Sequence, residues 1–314
     1  MNWILKRPRR NSLKVKTLDS ICLGTVKLGS PDYGFSSNQD FKTFDPLLFL
    51  RQAEAIGIRK FDTSPRYGRS EEIIGEYISF SNKTPIVSTK IDKLKPGVRD
   101  TPKMMLESVS SSLRKLNLLQ LDTCYLHQNE LGIISDPYVH EGLTLIKDKG
   151  LSVNIGVSVY SFEECEYAVE SGIFDVIQVP ISVFDLTFYN RYVLFVNSVR
   201  FVARSLLLQG ILVNRSNIKS RIRYSAEILE CLVQLDRLAE EYNYATLDMA
   251  LGFVFSLENI CHYLIGTASI NNLKRNIRCL NIQLPPELCS KIKDIASNVK
   301  IWKILETGRF CVGN

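Results

Sequence analysis

The sequence predicts an α/β fold, a (β/α)8 TIM barrel built as one domain across residues 1–314. Short β-rich runs alternate with longer amphipathic segments along nearly the whole chain, and eight such runs are present. No GxGxxG turn follows an early strand, which argues against the doubly wound open sheet that would otherwise fit the alternation. Hydrophobic residues make up 45% of the chain, enough for a large core, and barrels commonly exceed the roughly 150 residues of an average domain.

The first strand is expected over Leu18 to Gly24, followed by an apolar-striped helix from Pro46 to Ile56 that Gly57 stops. Ile58 to Thr63 with Ser70 to Ile78 forms the second unit, and Pro85 to Ile91 with Thr101 to Leu116 the third. Leu121 to His127 precedes a helix around Val139 to Lys149, and Ser152 to Ser158 precedes one from Phe162 to Ser171. Phe174 to Val179, Arg200 to Ser205 and Cys261 to Ile265 complete the strands, with helices that include Ala226 to Tyr242 and Leu247 to Phe255. Leu207 to Arg223 is the longest connection without a clear strand, and its Gly210, Asn214, Asn217 and four basic residues mark a binding loop and the place to look for a lid. A short basic segment, residues 1–17, precedes the barrel, and a C-terminal helix and tail, residues 286–314, follow it.

The net charge of +6 is modest, and part of it sits in Lys6, Arg7, Arg9, Arg10, Lys14 and Lys16. That cluster reads as a solvated terminus that resists edge pairing, so no nucleic-acid partner is expected. The eight cysteines contain no CxxC pair and the only histidines are His127, His140 and His262, so no metal site is expected. Cysteines in apolar runs suit free thiols in a reducing compartment, and a cytoplasmic location is expected. The opening Met1-Asn2-Trp3-Ile4-Leu5 turns basic without a secretory apolar stretch, and no later run reaches the roughly 20 apolar residues of a membrane span. No membrane partner is expected, and the chain is read as a monomer or homodimer.

A barrel builds its active site where strands end, so polar residues at strand C-termini are candidates. Asp62 ends the second strand, Tyr67 follows in its loop, Lys90 ends the third and His127 ends the fourth. A lysine ammonium beside a phenol is expected to draw the tyrosine pKa down from about 10, with Asp62 holding the lysine charged. The phenol can then give its proton to a carbonyl oxygen while His127 polarises that oxygen. Singly, each residue has an ordinary structural reading; jointly, at the ends of successive strands, they point to general-acid chemistry. His140 and His262 lack such company and are read as structural.

The stretch Phe61-Asp62-Thr63-Ser64-Pro65-Arg66-Tyr67-Gly68-Arg69-Ser70-Glu71-Glu72-Ile73-Ile74-Gly75 resembles the aldo-keto reductase signature at close to full length. The family's tetrad falls, in order, on Asp62, Tyr67, Lys90 and His127. The resemblance implies reduction of an aldehyde or ketone, a small-molecule carbonyl, with NADPH as hydride donor and NADH as the alternative, bound without a Rossmann fold. It further implies a cofactor site made by Gly24, Thr25, Asp62, Ser158, Gln178, Arg204, Ser205, Gly266, Thr267, Ala268, Ser269, Asn272 and Asn276. The last five follow a strand and open a helix, a natural anion site. Substrate contact is expected from Tyr33, Tyr67 and His127, with specificity set by loops around Tyr33, Glu130, Phe184 and Leu207 to Arg223.

Three positions depart from the family pattern. Val159 stands where an amide usually holds the nicotinamide carboxamide, and Arg204 where an aromatic ring often stacks, so Arg204 is expected either to stack or to meet an acidic substrate group. Asn272 stands where an arginine often grips the 2′-phosphate of NADPH, with Lys274 and Arg275 as candidate replacements. The basic residues Arg204, Arg215, Lys219, Arg221 and Arg223 lean toward an anionic substrate or the cofactor phosphates. Two rival functions stay open here: a cofactor-binding redox-sensing subunit with little turnover, and a Schiff-base lyase using Lys90.

Overall fold

The computed structural model describes residues 16–30, 44–81, 83–213 and 225–298. Eight parallel strands close into a barrel in sequence order: β1 (Ile21–Gly24), β2 (Lys60–Asp62), β3 (Ile86–Ile91), β4 (Leu121–Leu126), β5 (Ser152–Ser158), β6 (Val176–Pro180), β7 (Arg200–Arg204) and β8 (Ile260–Gly266). β8 returns to β1 with Ile21 opposite Tyr263 and Gly24 opposite Gly266, which leaves no free sheet edge. The principal helices are α1 (Pro46–Ala55), α2 (Ser70–Phe80), α3 (Thr101–Leu116), α4 (Pro137–Asp148), α5 (Phe162–Glu170), α6 (Ser225–Glu241), α7 (Thr246–Ser256), α8 (Ile270–Arg278) and α9 (Pro286–Asn298). The β6–β7 connection carries a short π-helical turn, Tyr189–Val193, instead of a regular helix.

The helices start where side chains satisfy their free amides. Asp45 accepts from the amides of Leu47 and Leu48 at 3.0 Å with Pro46 at the first turn, and Asp136 serves α4 in the same way with Pro137. Ser161 and Glu164 form a reciprocal capping box on α5. The inner faces of the helices and the outer face of the barrel make one continuous apolar core that includes Leu50, Phe61, Ile74, Leu113, Leu143 and Phe253. Inside the barrel a separate small cluster of Tyr125, Val176 and Val202 forms an apolar floor. Gly156 makes room for it, since a Cβ there would overlap the Tyr125 ring and stand 2.9 Å from the Val176 carbonyl.

Two strands fall three residues short of the sequence reading, β1 and β2. Leu18–Ser20 form a 3-10 turn, closed by the Ser20 amide on the Thr17 carbonyl at 2.9 Å, so β1 begins at Ile21. Ile58 is still tied to helix α1 through the Ala53 carbonyl at 3.0 Å, so β2 begins at Lys60. Seven cysteines within the described residues are free thiols, and no helix among those residues is long and apolar enough to cross a membrane. No group of three or more metal-ligating side chains occurs among them either.

Candidate active site

Asp62 and Lys90 lie at the C-terminal ends of β2 and β3 and are 2% and 3% exposed. Lys90 Nζ pairs with Asp62 Oδ1 and donates to the Thr63 carbonyl at 2.8 Å, while Asp62 Oδ2 accepts from Gln178 Nε2 at 2.7 Å. Burial opposes the lysine charge, but Asp62 and hydrogen bonds to Asp62 and Tyr67 outweigh it and hold the Lys90 pKa above the ordinary value. Charges this dry persist only because each has its partner.

Tyr67, in the loop after β2, places its ring centroid 5.1 Å from Lys90 Nζ and 6.0 Å from the His127 ring, edge to face at 86°. Asp62, Tyr67, Lys90 and His127 all line one cavity of about 340 Å³ at the barrel mouth where the strands end. The phenol corrects one sequence expectation: burial pushes its pKa up and outweighs the downward pull of Lys90. The hydroxyl is therefore protonated at neutral pH, the state a proton donor requires.

His127 follows the last residue of β4 and sets Nδ1 3.0 Å from Ser64 Oγ. Burial first, then the charges of Lys90, Arg66 and Arg204, lower its pKa to about 4 against the opposing carboxylate of Asp92. The imidazole is neutral at physiological pH.

A directed hydroxyl chain braces this end of β2. Thr63 Oγ1 donates to Ser70 Oγ at 3.0 Å, Ser70 Oγ to Thr25 Oγ1 at 2.9 Å, and Thr25 Oγ1 to the Asp62 carbonyl at 2.9 Å, all of it buried. The Tyr67 loop then closes on Gly29: a Cβ there would overlap the Tyr67 carbonyl oxygen and stand 2.7 Å and 2.8 Å from the amides of Ser70 and Arg69. Gly29→Ala is expected to cost about 1–3 kcal/mol by overpacking and to displace Tyr67, lowering melting temperature and turnover together. Gly132→Ala, where a Cβ meets nothing within 4 Å, is the control that leaves both unchanged.

Gly24, Thr25, Ser158, Gln178, Arg204, Ser205, Gly266, Thr267, Asn272 and Asn276 line the same cavity. Ala268 and Ser269 are not among its lining residues; Ser269 instead caps α8 by accepting the Asn272 amide at 3.4 Å. Arg275 reaches the cavity while paired with Asp248 at 2.9 Å, whereas Lys274 does not line it.

The unusual residues at 159 and 204 meet each other. Arg204 donates from Nε to Ser158 Oγ at 3.1 Å, from Nη2 to the Val159 carbonyl at 2.7 Å and from Nη1 to Ser205 Oγ at 3.2 Å. Its guanidinium lies 3.8 Å from the centroid of the Tyr160 ring, a close cation–π contact. Tyr160 lines the cavity and was not singled out in the sequence, where the only signal is an aromatic residue two places beyond a strand end. Its loop is anchored by Glu164 Oε2, which accepts from the amides of Tyr160 and Ser161 at 2.7 Å and 3.0 Å and from Asn129 Nδ2 at 2.8 Å. Ser205, at φ +64°, is one of the few non-glycine residues held in the left-handed region, next to the cavity.

Tyr33, the cluster Lys6, Arg7, Arg9, Arg10 and Lys14, and Arg215, Lys219, Arg221 and Arg223 lie outside the described residues. Leu207, Gly210 and Val213, at the start of the long connection, do line the cavity. Phe184 does not: it is 1% exposed and packed into the core, because the chain turns back after β6 through the Ser182–Asp185 bridge. Glu130 lies at the start of the helical turn Leu131–Ile134 and is not among the lining residues. His140 bonds the Ile134 carbonyl at 2.7 Å and stacks on Tyr167, and His262 sits half-buried on β8; neither lines the cavity.

The chain matches the Aldo/keto reductase family over residues 20–297. It is 24% identical to an uncharacterised oxidoreductase of Mycobacterium tuberculosis over 316 aligned residues, covering 92% of each chain. It is 23% identical to an NADH-specific methylglyoxal reductase of Escherichia coli, covering 89% of this chain and 95% of the relative. Among solved structures it superposes on a glycerol dehydrogenase of Gluconobacter oxydans with a TM-score of 0.70 and 21% identity, covering 96% and 97% of the two chains. At that identity the superposition speaks to the fold.

Proposed function

This chain belongs to the aldo/keto reductase family, and from that premise we propose that it reduces an aldehyde or ketone to the alcohol with a nicotinamide nucleotide, Tyr67 supplying the proton. The observation that carries the reading is the convergence of Asp62, Tyr67, Lys90 and His127 on one cavity of about 340 Å³. A nicotinamide nucleotide, when bound, would supply the hydride. The residues fit such a group: the N-terminus of α8 and the side chains of Thr267, Asn272, Arg275 and Asn276 present donors suited to phosphate, and Gly266 opens onto the cavity with nothing within 4 Å of a Cβ. These would hold the nucleotide's phosphates, while Ser158, Gln178 and Arg204 would flank the nicotinamide.

As negative charge grows on the carbonyl oxygen, Tyr67 transfers its proton there. The resulting phenolate is stabilised by the Lys90 ammonium, whose charge Asp62 sustains. A cation that acts chiefly on the phenolate lowers the barrier without ionising the resting phenol. His127 and Tyr67 share the wall that receives the carbonyl oxygen. The same geometry weighs against a Schiff-base lyase, because a nucleophilic amine must be neutral and Lys90 is held charged. NADPH is the proposed donor, with NADH the alternative in view of Asn272.

The test is titration of the purified protein with NADPH and NADH by fluorescence, followed by nicotinamide absorbance decay across a panel of aldehydes, ketones and sugar carbonyls. Binding with turnover is the expected outcome. Tight binding with negligible turnover across the panel would instead favour a redox-sensing subunit.

A further inference from the structure

Ser64 is fully buried just past the end of β2, and its hydroxyl makes two contacts among the described residues. Oγ accepts the amide N–H of Arg66 at 3.2 Å and lies 3.0 Å from Nδ1 of His127. The Arg66 contact has a fixed direction, since an amide can only donate. The contact with His127 has two directions, depending on which ring nitrogen carries the proton.

The choice follows from where the Ser64 proton goes. If Nδ1 carried the ring proton, Oγ would accept twice, and a fully buried O–H would have no acceptor among the described residues. With the proton on Nε2, Ser64 donates to Nδ1 and accepts from Arg66, so the buried hydroxyl is satisfied. A buried donor without an acceptor is disfavoured strongly enough to bias the tautomers by roughly 10-fold or more. Nδ1 is occupied by Ser64, and His127 lines the cavity, so Nε2 is the ring nitrogen available to a ligand there.

We propose that Ser64 is a positioning residue that fixes His127 as its Nε2–H tautomer, so that the imidazole offers an N–H to the carbonyl oxygen instead of a lone pair that would repel it. The substrate half of this statement rests on the proposed carbonyl reduction; the tautomer half does not. The neutral state of the ring, with its pKa lowered to about 4, is what makes the tautomer matter at physiological pH. The arrangement also links two parts of the site. The carbonyl of the same Ser64 accepts the Tyr67 amide at 2.9 Å, so one residue orients both groups that face the carbonyl oxygen.

The test is a long-range proton–nitrogen correlation spectrum of the protein labelled with nitrogen-15 histidine, near pH 7. Only three histidines contribute, and His127→Gln identifies the His127 signals by their disappearance. The expected result is the pattern of a neutral ring protonated at Nε2. A ring protonated at Nδ1, or an imidazolium, would overturn the proposal on the wild-type protein, whatever the fate of any variant. Ser64→Ala is then expected to lose the tautomer bias and to lower kcat roughly 10-fold with nucleotide affinity unchanged, and Ser64→Thr to restore both. Ser64→Ala that keeps both the Nε2–H pattern and wild-type kcat would equally overturn it. If no carbonyl is reduced by the wild-type protein, the spectrum still decides the tautomer, so failure of the reductase reading stays separate from failure of this one.

Discussion

Tyr67→Phe is expected to lower kcat by about 10²–10⁴-fold while leaving nucleotide affinity nearly unchanged, because it removes one proton and almost no volume. Lys90 lies 5.1 Å from the ring centroid and remains paired with Asp62, so the substitution leaves the charged layer beneath the site in place. The pH dependence carries a second prediction. Since burial raises the phenol pKa above its ordinary 10, Tyr67 stays protonated through the neutral range, and the proton-donor form is lost only as pH rises through that raised value. The kcat profile for reduction should therefore be flat from about pH 6 to about pH 9, with no phenol limb near neutrality. Stopped-flow single-turnover rates across pH, for wild type and Tyr67→Phe, measure both effects; an alkaline limb near pH 7 in the wild type would mean that Lys90 wins over burial.

Asp62→Ala is expected to destabilise the fold by about 3–5 kcal/mol, because it strands the Lys90 ammonium in a place only 3% exposed with no carboxylate partner, only the Thr63 carbonyl and the Tyr67 hydroxyl. The double variant Asp62→Asn with Lys90→Met is expected to recover most of that loss without activity, since no unpaired charge is left behind. The sign of the pH dependence separates the two. In the wild type the Lys90 pKa is raised, so its contribution is fully present below the unfolded value of about 10.4 and lost as pH rises through the folded value. In Asp62→Ala burial, the largest influence, is opposed only by Tyr67 and depresses the lysine pKa; the unfolded chain then binds more protons than the folded one, and the deficit shrinks as pH rises. Urea unfolding at several pH values measures this, and a deficit that grows toward alkaline pH would contradict it.

Elements governed by local pattern were legible in the sequence. Thr101–Leu116 and Ser152–Ser158 coincide with their observed limits, because one carries a clear helical stripe and the other a run bounded by turns. β2 is shorter than its apolar run because ladder pairing needs a neighbour in register, and Ile58 is still committed to helix α1. Asp62, Lys90 and His127 were placed near strand ends by spacing alone, and the structure brings them to one cavity with Tyr67. What escaped the sequence depends on contacts between distant residues. Val159 and Arg204 each stood out as a departure, but that the second reaches across 45 residues to the first is a property of the closed barrel, which brings the ends of β5 and β7 within reach across β6. Tyr160 was passed over because its partner is that same arginine. The sign of the Tyr67 shift was misread because residue types reveal a nearby cation but not how much solvent is removed. Phe184 was read as marking a specificity loop for the same reason: only the packed structure shows this loop aromatic turning inward.

The most direct test of carbonyl reduction through Tyr67 is isotope transfer. The protein is incubated with a reduced nicotinamide nucleotide deuterated at C4 and with each active member of the carbonyl panel, and the alcohol is analysed by mass spectrometry for wild type and Tyr67→Phe. The predicted result is deuterium at the former carbonyl carbon in the wild-type product, with the rate of transfer falling by about 10²-fold or more in Tyr67→Phe. Alcohol without deuterium, no bound nucleotide, or equal transfer in the two proteins would contradict it.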